Sequence, residues 1–522
     1  MKNSAYLTLF CVCTVAQAAS LVDPLYCSGM VVQREAPISV RGNGDFGQTV
    51  VARFANQEKA ATVSTDGRWE VDLAPLPAGG PYELLVRSGK EEVRLNDVWV
   101  GDVWIASGQS NMELTLKDST GGAEAAARPP EGTLRLWNVD KIVAHAPRDI
   151  LQSAWKPGMT EAALNFSGVG YYFGRLLAER TNIPIGMVNA SWGGTPIQSW
   201  TRTEVLSTDY DFVPILKRWE QTLRDYPAAK ARWESVTLEQ RQREFQQRVE
   251  EARAKGLPKV YPEWPPQGPD SPEAPAVLWN GMIHPLTHLP IKGVIWYQGE
   301  SNAPYAEQYA KLFPAMIRDW RAQWGIGDFP FYFVQLCNFN AFRKQVPEPV
   351  ESTWAELREA QAQTRDVAPN TGMAVTIDVG EADEIHPKDK KTVGQRLALL
   401  ALKHVYGQQV VCEGPRYCRY RNVPRGVEVE FSDVAVGLKT REGSKRIRAF
   451  SVAGSDREFA WAEAEILGPS IILVKKPAGF SAIESVRYDW GDTPDGNLCS
   501  SAGLPAEPFR TDNWPGLTTG KR

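Results

Sequence analysis

The feature that most restricts the fold lies between residues 97 and 405, where short apolar runs alternate with amphipathic stretches. Residues 103–106, 185–189, 293–297, 331–336 and 373–377 are continuous apolar segments of the buried-strand type. Between them, Val169, Tyr172, Phe173, Leu176 and Leu177 recur at helical spacing, and residues 392–405 do the same. Strands that are apolar on both faces and separated by helices pair through crossover connections. The segment therefore predicts an α/β fold: a mostly parallel sheet sandwiched by helices, with ligands at the carboxyl ends of its strands.

The flanks have a different texture. In residues 19–96, short alternating runs at 37–40, 49–54, 69–73 and 82–86 are separated by Gly, Pro, Asn and Asp, which predicts an N-terminal β domain. The string Gly42-Asn43-Gly44-Asp45-Phe46-Gly47 spells G-x-G-x-x-G, but a strand-like run follows it. A pyrophosphate site needs that loop to open a helix, so the string predicts a hairpin turn and no nucleotide. Residues 406–522 return to short strand-like runs at 427–431, 447–452, 470–474 and 486–489, a C-terminal β-rich region. Inside the α/β segment, an insertion at about 205–275 has a charged, helix-favouring part broken by Pro227, then seven prolines from Pro258 to Pro275. It reads as a helical excursion with an extended return, either a solvated decoration or a lid.

Residues 1–18 form a separate unit: Lys2, an apolar run over 6–15, then Ala16-Gln17-Ala18. That is the layout of a secretory signal peptide, and it predicts an exported protein, periplasmic or extracellular in a bacterium, lysosomal or secreted in a eukaryote. No later run is long and apolar enough to span a membrane. The net charge of −4 argues against a nucleic-acid partner. Beyond the leader the cysteines are Cys27, Cys337, Cys412, Cys418 and Cys499, an odd number. Cys412 and Cys418 flank a Gly-Pro loop and are the candidate disulfide.

Chemistry is narrowed by the scarcity of histidine, of which the chain has five. His284 and His288 have the spacing of metal ligands on a helix, but Pro285 and Pro290 oppose a helix there and no H-E-x-x-H occurs. Neither metal nor cofactor is expected. His386 ends Asp383-Glu384-Ile385-His386, just after the run 373–377. An Asp-x-x-His loop lets the carboxylate accept from one ring nitrogen and leaves the other as a base. Gly108-Gln109-Ser110-Asn111-Met112 follows the run 103–106, so Ser110 sits where a strand passes into a helix whose N–H groups face a developing oxyanion. Two more polar loops follow strands: Ser191-Trp192-Gly193-Gly194-Thr195 and Gln298-Gly299-Glu300-Ser301-Asn302. Trp192 and Trp296, beside these loops, are candidates for stacking on a sugar ring.

With these four blocks in view, the chain resembles the sialate O-acetylesterase family of the SGNH hydrolases, related to carbohydrate esterases that act on acetylated xylan. The stretches 104–113, 190–195, 296–302 and 383–386 carry the resemblance, together with Met30-Val31-Val32-Gln33-Arg34 and Asn280-Gly281-Met282-Ile283. It implies an SGNH-type, flavodoxin-like sheet and an O-acetylated carbohydrate as substrate. It further implies Ser110 as nucleophile, His386 as general base and acid, and Asp383 as its orienting partner. The oxyanion hole would combine the Ser110 amide, an amide of Gly193 or Gly194, and the Gln298 side chain, with Asn111 and Glu300 in support. Two rivals stay open: an acetyl xylan esterase, and a glycan-binding protein on an inactive hydrolase scaffold.

Overall fold

The computed structural model describes residues 20–522 apart from 256–259, 340–348 and 494; the expected leader, residues 1–18, lies outside the described residues. In the N-terminal region Ile38–Asn43 pairs with Arg68–Leu73, while Thr49–Phe54 pairs with Gln57–Thr62 and Gly79–Ser88. Residues 42–47 therefore do not close the expected hairpin. They carry the chain from one sheet to another, because the two strands they join find partners elsewhere.

The N-terminal layer and the central sheet share one strand, β1 (Glu91–Gly108). Its first residues alternate between exposed and covered, and residues 100–108 are buried without interruption. The boundary expected at residue 96/97 falls inside this strand. What changes there is burial on one face giving way to burial on both. The other central strands are β2 (Leu134–Asn138), β3 (Ile185–Ser191), β4 (Gly293–Tyr297), β5 (Phe331–Val334) and β6 (Thr371–Ala374). The spatial order is β6-β5-β4-β1-β3-β2, all parallel, with Lys156–Pro157 antiparallel at the edge. Strand β2 has no counterpart among the expected runs. Arg135 interrupts its apolar pattern and is accommodated by an ion pair with Asp97 at 2.6 Å.

The chain moves from β3 on one side of β1 to β4 on the other, and ligands of such sheets bind at this kind of reversal. The register aligns the three strand ends: Gly108 lies opposite both Ser191 and Tyr297. Helices α1 (Ser110–Glu113), α2 (Gly168–Thr181), α3 (Ala306–Trp324), α4 (Thr353–Val367) and α5 (Lys390–His404) follow strands, with α2 packed on α5 and α3 on α4. Among the described residues no helix is long and apolar enough to cross a membrane.

The insertion contains helices Val213–Glu234 and Leu238–Ala254. The first continues through Pro227 where a break was expected. The proline removes the hydrogen bond to the carbonyl four residues back and crowds that carbonyl, a cost of about 3 kcal/mol that the 22-residue helix absorbs without ending. Cys412 and Cys418 are both free thiols, the first buried beside His404 and the second exposed on the strand Arg416–Val423.

The C-terminal region has its own core, built around Val427, Phe431, Phe450, Tyr488 and Phe509. It is pinned to the α/β unit by Arg358 on α4, whose wholly buried guanidinium donates to the carbonyls of Leu336 (2.7 Å), Cys337 (2.8 Å), Gly491 (2.6 Å) and Asp492 (3.2 Å). Arg358→Met would strand these acceptors in a dry site. It is expected to cost about 3 kcal/mol, read as a lower urea midpoint with the C-terminal region becoming protease-sensitive first.

Candidate active site

The strand end at Gly108 sets the position of Ser110. Gly108 has φ of +133°, and a Cβ there would stand 2.2 Å from the Tyr297 carbonyl oxygen, so only glycine lets the chain turn out of β1 this close to β4. The Gln109 N–H closes the turn by donating to that carbonyl at 3.0 Å. Ser110 is then the first residue of α1, and its N–H has no acceptor within the helix.

His386 comes from the loop after β6. The Glu384 N–H donates to the Glu381 carbonyl (3.1 Å), and the Lys388 N–H to the Glu381 carboxylate (3.2 Å). The loop so shaped brings His386 Nε2 to 2.8 Å from Ser110 Oγ, across 276 positions of sequence. The other ring nitrogen, Nδ1, faces Glu384 Oε1 at 3.6 Å, and the same oxygen accepts the His386 backbone N–H at 3.1 Å. Asp383 is partly buried and lines a groove shared with Asn338, Gly380, Lys439 and Trp490.

The loop after β3 lies directly against the serine: a Cβ on Gly193 would sit 3.3 Å from Ser110 Cβ. The Gly193 N–H donates to the Glu113 carboxylate, which also pairs with Lys141. The Lys141 ammonium stands 5.3 Å over the Trp192 ring. Gly194 is exposed with φ of +78°. Gln298 joins the cluster from below, wholly buried. Its Nε2 donates to Asn302 Oδ1 at 2.7 Å and toward the Thr195 carbonyl at 3.4 Å, so its amide points along the loops rather than at the serine.

Of the two candidate sugar platforms, Trp192 is partly exposed beside Gly193, whereas Trp296 is 0% exposed. Trp296 packs against Trp200, Phe313 and Trp320, as a residue inside a doubly covered parallel strand must, and it is a core residue. Asn111 and Glu300 do come together. Asn111 Nδ2 donates to Glu300 Oε1 at 2.6 Å and to the Ile385 carbonyl at 2.9 Å. Burial pushes the Glu300 carboxyl above its usual range.

Three participants carry no role in the sequence reading: Glu113, Asn302 and Lys390. Asn302 stands in the Gln-Gly-Glu-Ser-Asn block. Its Oδ1 accepts from the Ile197 N–H (2.9 Å) and from Gln298, joining the loops after β3 and β4. Lys390 follows His386 by four residues at the start of a helix, where a lysine ordinarily reads as solvated; its ammonium is buried and donates to Asn111 Oδ1.

A serine hydroxyl within hydrogen-bond reach of an imidazole, at a helix start whose first N–H has no acceptor within the helix, is an arrangement suited to acyl transfer. Residues 100–249 and 277–403 match the family of carbohydrate esterases described as sialic acid-specific acetylesterases. The sialate O-acetylesterase of Rattus norvegicus is 31% identical, covering 92% of this chain and 92% of its own. That of Homo sapiens is 29% identical, covering 93% and 92%. A crystal structure of a carbohydrate acetylesterase from Xanthomonas citri aligns with a TM-score of 0.78 at 33% identity, covering 95% of this chain and 100% of that one. Matched over more than half its length by the family and over nearly all of it by these relatives, the chain belongs to the sialic acid-specific acetylesterase family of carbohydrate esterases and is a carboxylic ester hydrolase.

Proposed function

We propose that this protein is an exported serine esterase of SGNH type that removes O-acetyl groups from carbohydrates, with O-acetylated sialic acids as its preferred substrates. The observation that carries the mechanism is the 2.8 Å contact between Ser110 Oγ and His386 Nε2. Ser110 attacks the acetyl carbonyl while Nε2 takes its proton, and the tetrahedral intermediate collapses as that proton passes to the departing sugar oxygen. Water, deprotonated by the same nitrogen, then releases acetate from Ser110. Asp383 holds the imidazole in the tautomer that leaves Nε2 as the base.

The oxyanion is received by the Ser110 N–H and by an amide of the Gly193-Gly194 pair. Glu113 accepts the Gly193 N–H, so this donor serves the oxyanion only by exchanging the carboxylate for it. Gln298 serves as a third donor only by turning its amide away from Asn302; in its present orientation it braces the two glycine-bearing loops. Trp192, partly exposed and capped on one face by Lys141, flanks the sugar. The leader-like residues 1–18 support export.

Acetate release from O-acetylated sialic acids and from acetylated xylo-oligosaccharides, followed by NMR to locate the acetyl removed, tests the reading. Faster release from the sialic acids is expected. Preference for the xylo-oligosaccharides would move the substrate to plant glycans, and glycan binding without acetate release would overturn catalysis altogether.

A further inference from the structure

We propose that Lys390 is a positioning residue for the esterase reaction: from beneath the nucleophile helix it holds the Asn111 amide in the one orientation that ties α1 to the histidine loop. The proposal rests on the serine–histidine reading above. Lys390 is 0% exposed, and its Nζ donates to Asn111 Oδ1 at 2.5 Å while lying 5.4 Å from the centre of the Tyr297 ring. With Oδ1 so held, Asn111 Nδ2 donates to Glu300 Oε1 (2.6 Å) and to the Ile385 carbonyl (2.9 Å). Asn111 is the residue after Ser110, and Ile385 the residue before His386. The two reacting side chains are thus linked through their immediate neighbours.

The amide could in principle be turned over. It would then set its NH2 against an ammonium and its oxygen against a carboxylate and a carbonyl, three repulsive contacts among buried groups. A cation at Oδ1 makes the productive orientation the only acceptable one. Space for the lysine stem is left by Gly168 at the start of α2, where a Cβ would approach Lys390 Cβ to 3.1 Å. Burying an ammonium is costly.

The arrangement has a signature in pH. Burial pulls the Lys390 ammonium down to about 8. The groups around it are Glu300 after β4, Tyr297 at the end of β4, Cys337 after β5, and Asp389 and Glu381 from its own loop. Burial raises Tyr297 and Cys337 above their ordinary values, so both stay protonated while the lysine titrates. The cation is present below that pH and lost above it, so the orienting contact weakens as pH rises through about 8 and kcat falls on the alkaline side.

The test assays wild type, Lys390→Met and Lys390→Arg on a chromogenic acetate ester from neutral to alkaline pH, with Ser110→Ala alongside. Lys390→Met is expected to lower kcat about a hundredfold, the scale of a slightly misplaced reacting group, with KM within about twofold. Lys390→Arg keeps its charge through the whole range, and it is expected to recover most of the rate and shift the alkaline loss upward. Wild-type kcat in Lys390→Met, or an alkaline inflection in Lys390→Arg at the wild-type pH, would overturn the proposal. Should Lys390→Met fail to fold, the comparison of Lys390→Arg with wild type decides alone. An undiminished rate in Ser110→Ala would sink the serine mechanism itself, a result distinguishable from either Lys390 outcome.

Discussion

Ser110→Ala is expected to lower kcat on an acetate ester by on the order of 10⁶, the loss found when the nucleophile of such a unit is removed. The substitution takes away one oxygen, and with it the atom that receives the acyl group and the partner of His386 Nε2 at 2.8 Å. The backbone N–H of residue 110 and the neighbouring glycine loop remain, so acetylated substrate should still bind with KM little changed. His386→Ala should cost nearly as much, because an unassisted serine hydroxyl is a poor nucleophile at neutral pH. The double variant is the sharper measurement. Serine and histidine act as one unit, so removing both should cost about as much as removing either. If the two losses multiplied instead, each side chain would be contributing independently, and the 2.8 Å contact would not be the catalytic one. Stability should hardly move, since Ser110 is only partly buried and its side chain fills no part of the core.

How far such a site can be read before its structure is known depends on what each residue type reports. The strand Gly293–Tyr297 was legible to the residue because it is buried on both faces, and double burial leaves a continuous apolar run. Leu134–Asn138 is equally buried apart from Asn138, but Arg135 is paid for by an ion pair with Asp97, a partner distant in sequence that no local pattern reveals. The positions of Ser110 and His386 were legible for a topological reason: loops at the carboxyl ends of neighbouring parallel strands meet on one edge of the sheet. Orientation was not legible. Trp192 and Trp296 both flank the site in sequence, yet the pleat and the covering helices leave one at the surface and close the other into the core. Gln298 has its amide turned toward Asn302, because the nearest acceptor within the loops sets its rotamer. Lys390 escaped notice for the opposite reason: a lysine in the first turn of a helix is ordinarily solvated, and partners distant in sequence, among them Asn111 on α1 and Gly168 at the start of α2, bury this one.

The second large effect is expected at Asp383, the carboxylate proposed to orient His386. Asp383→Asn is expected to reduce kcat by on the order of 10⁴, because an amide at that place can donate to Nδ1 and so favour the tautomer whose Nε2 carries the proton and cannot act as base. Glu384→Gln is expected to cost about tenfold or less, a figure that reflects loss of loop geometry rather than of charge. The reason for the asymmetry lies in what Glu384 is already doing. Its Oε1 accepts the backbone N–H of His386 at 3.1 Å, and its 3.6 Å separation from Nδ1 is too long for a strong hydrogen bond. It shapes the turn, and the orienting role is proposed for Asp383, three residues before the histidine. The reverse ranking, a severe loss in Glu384→Gln with Asp383→Asn near wild type, would transfer the orienting role to Glu384 and make Asp383 a residue of the groove beside the C-terminal region.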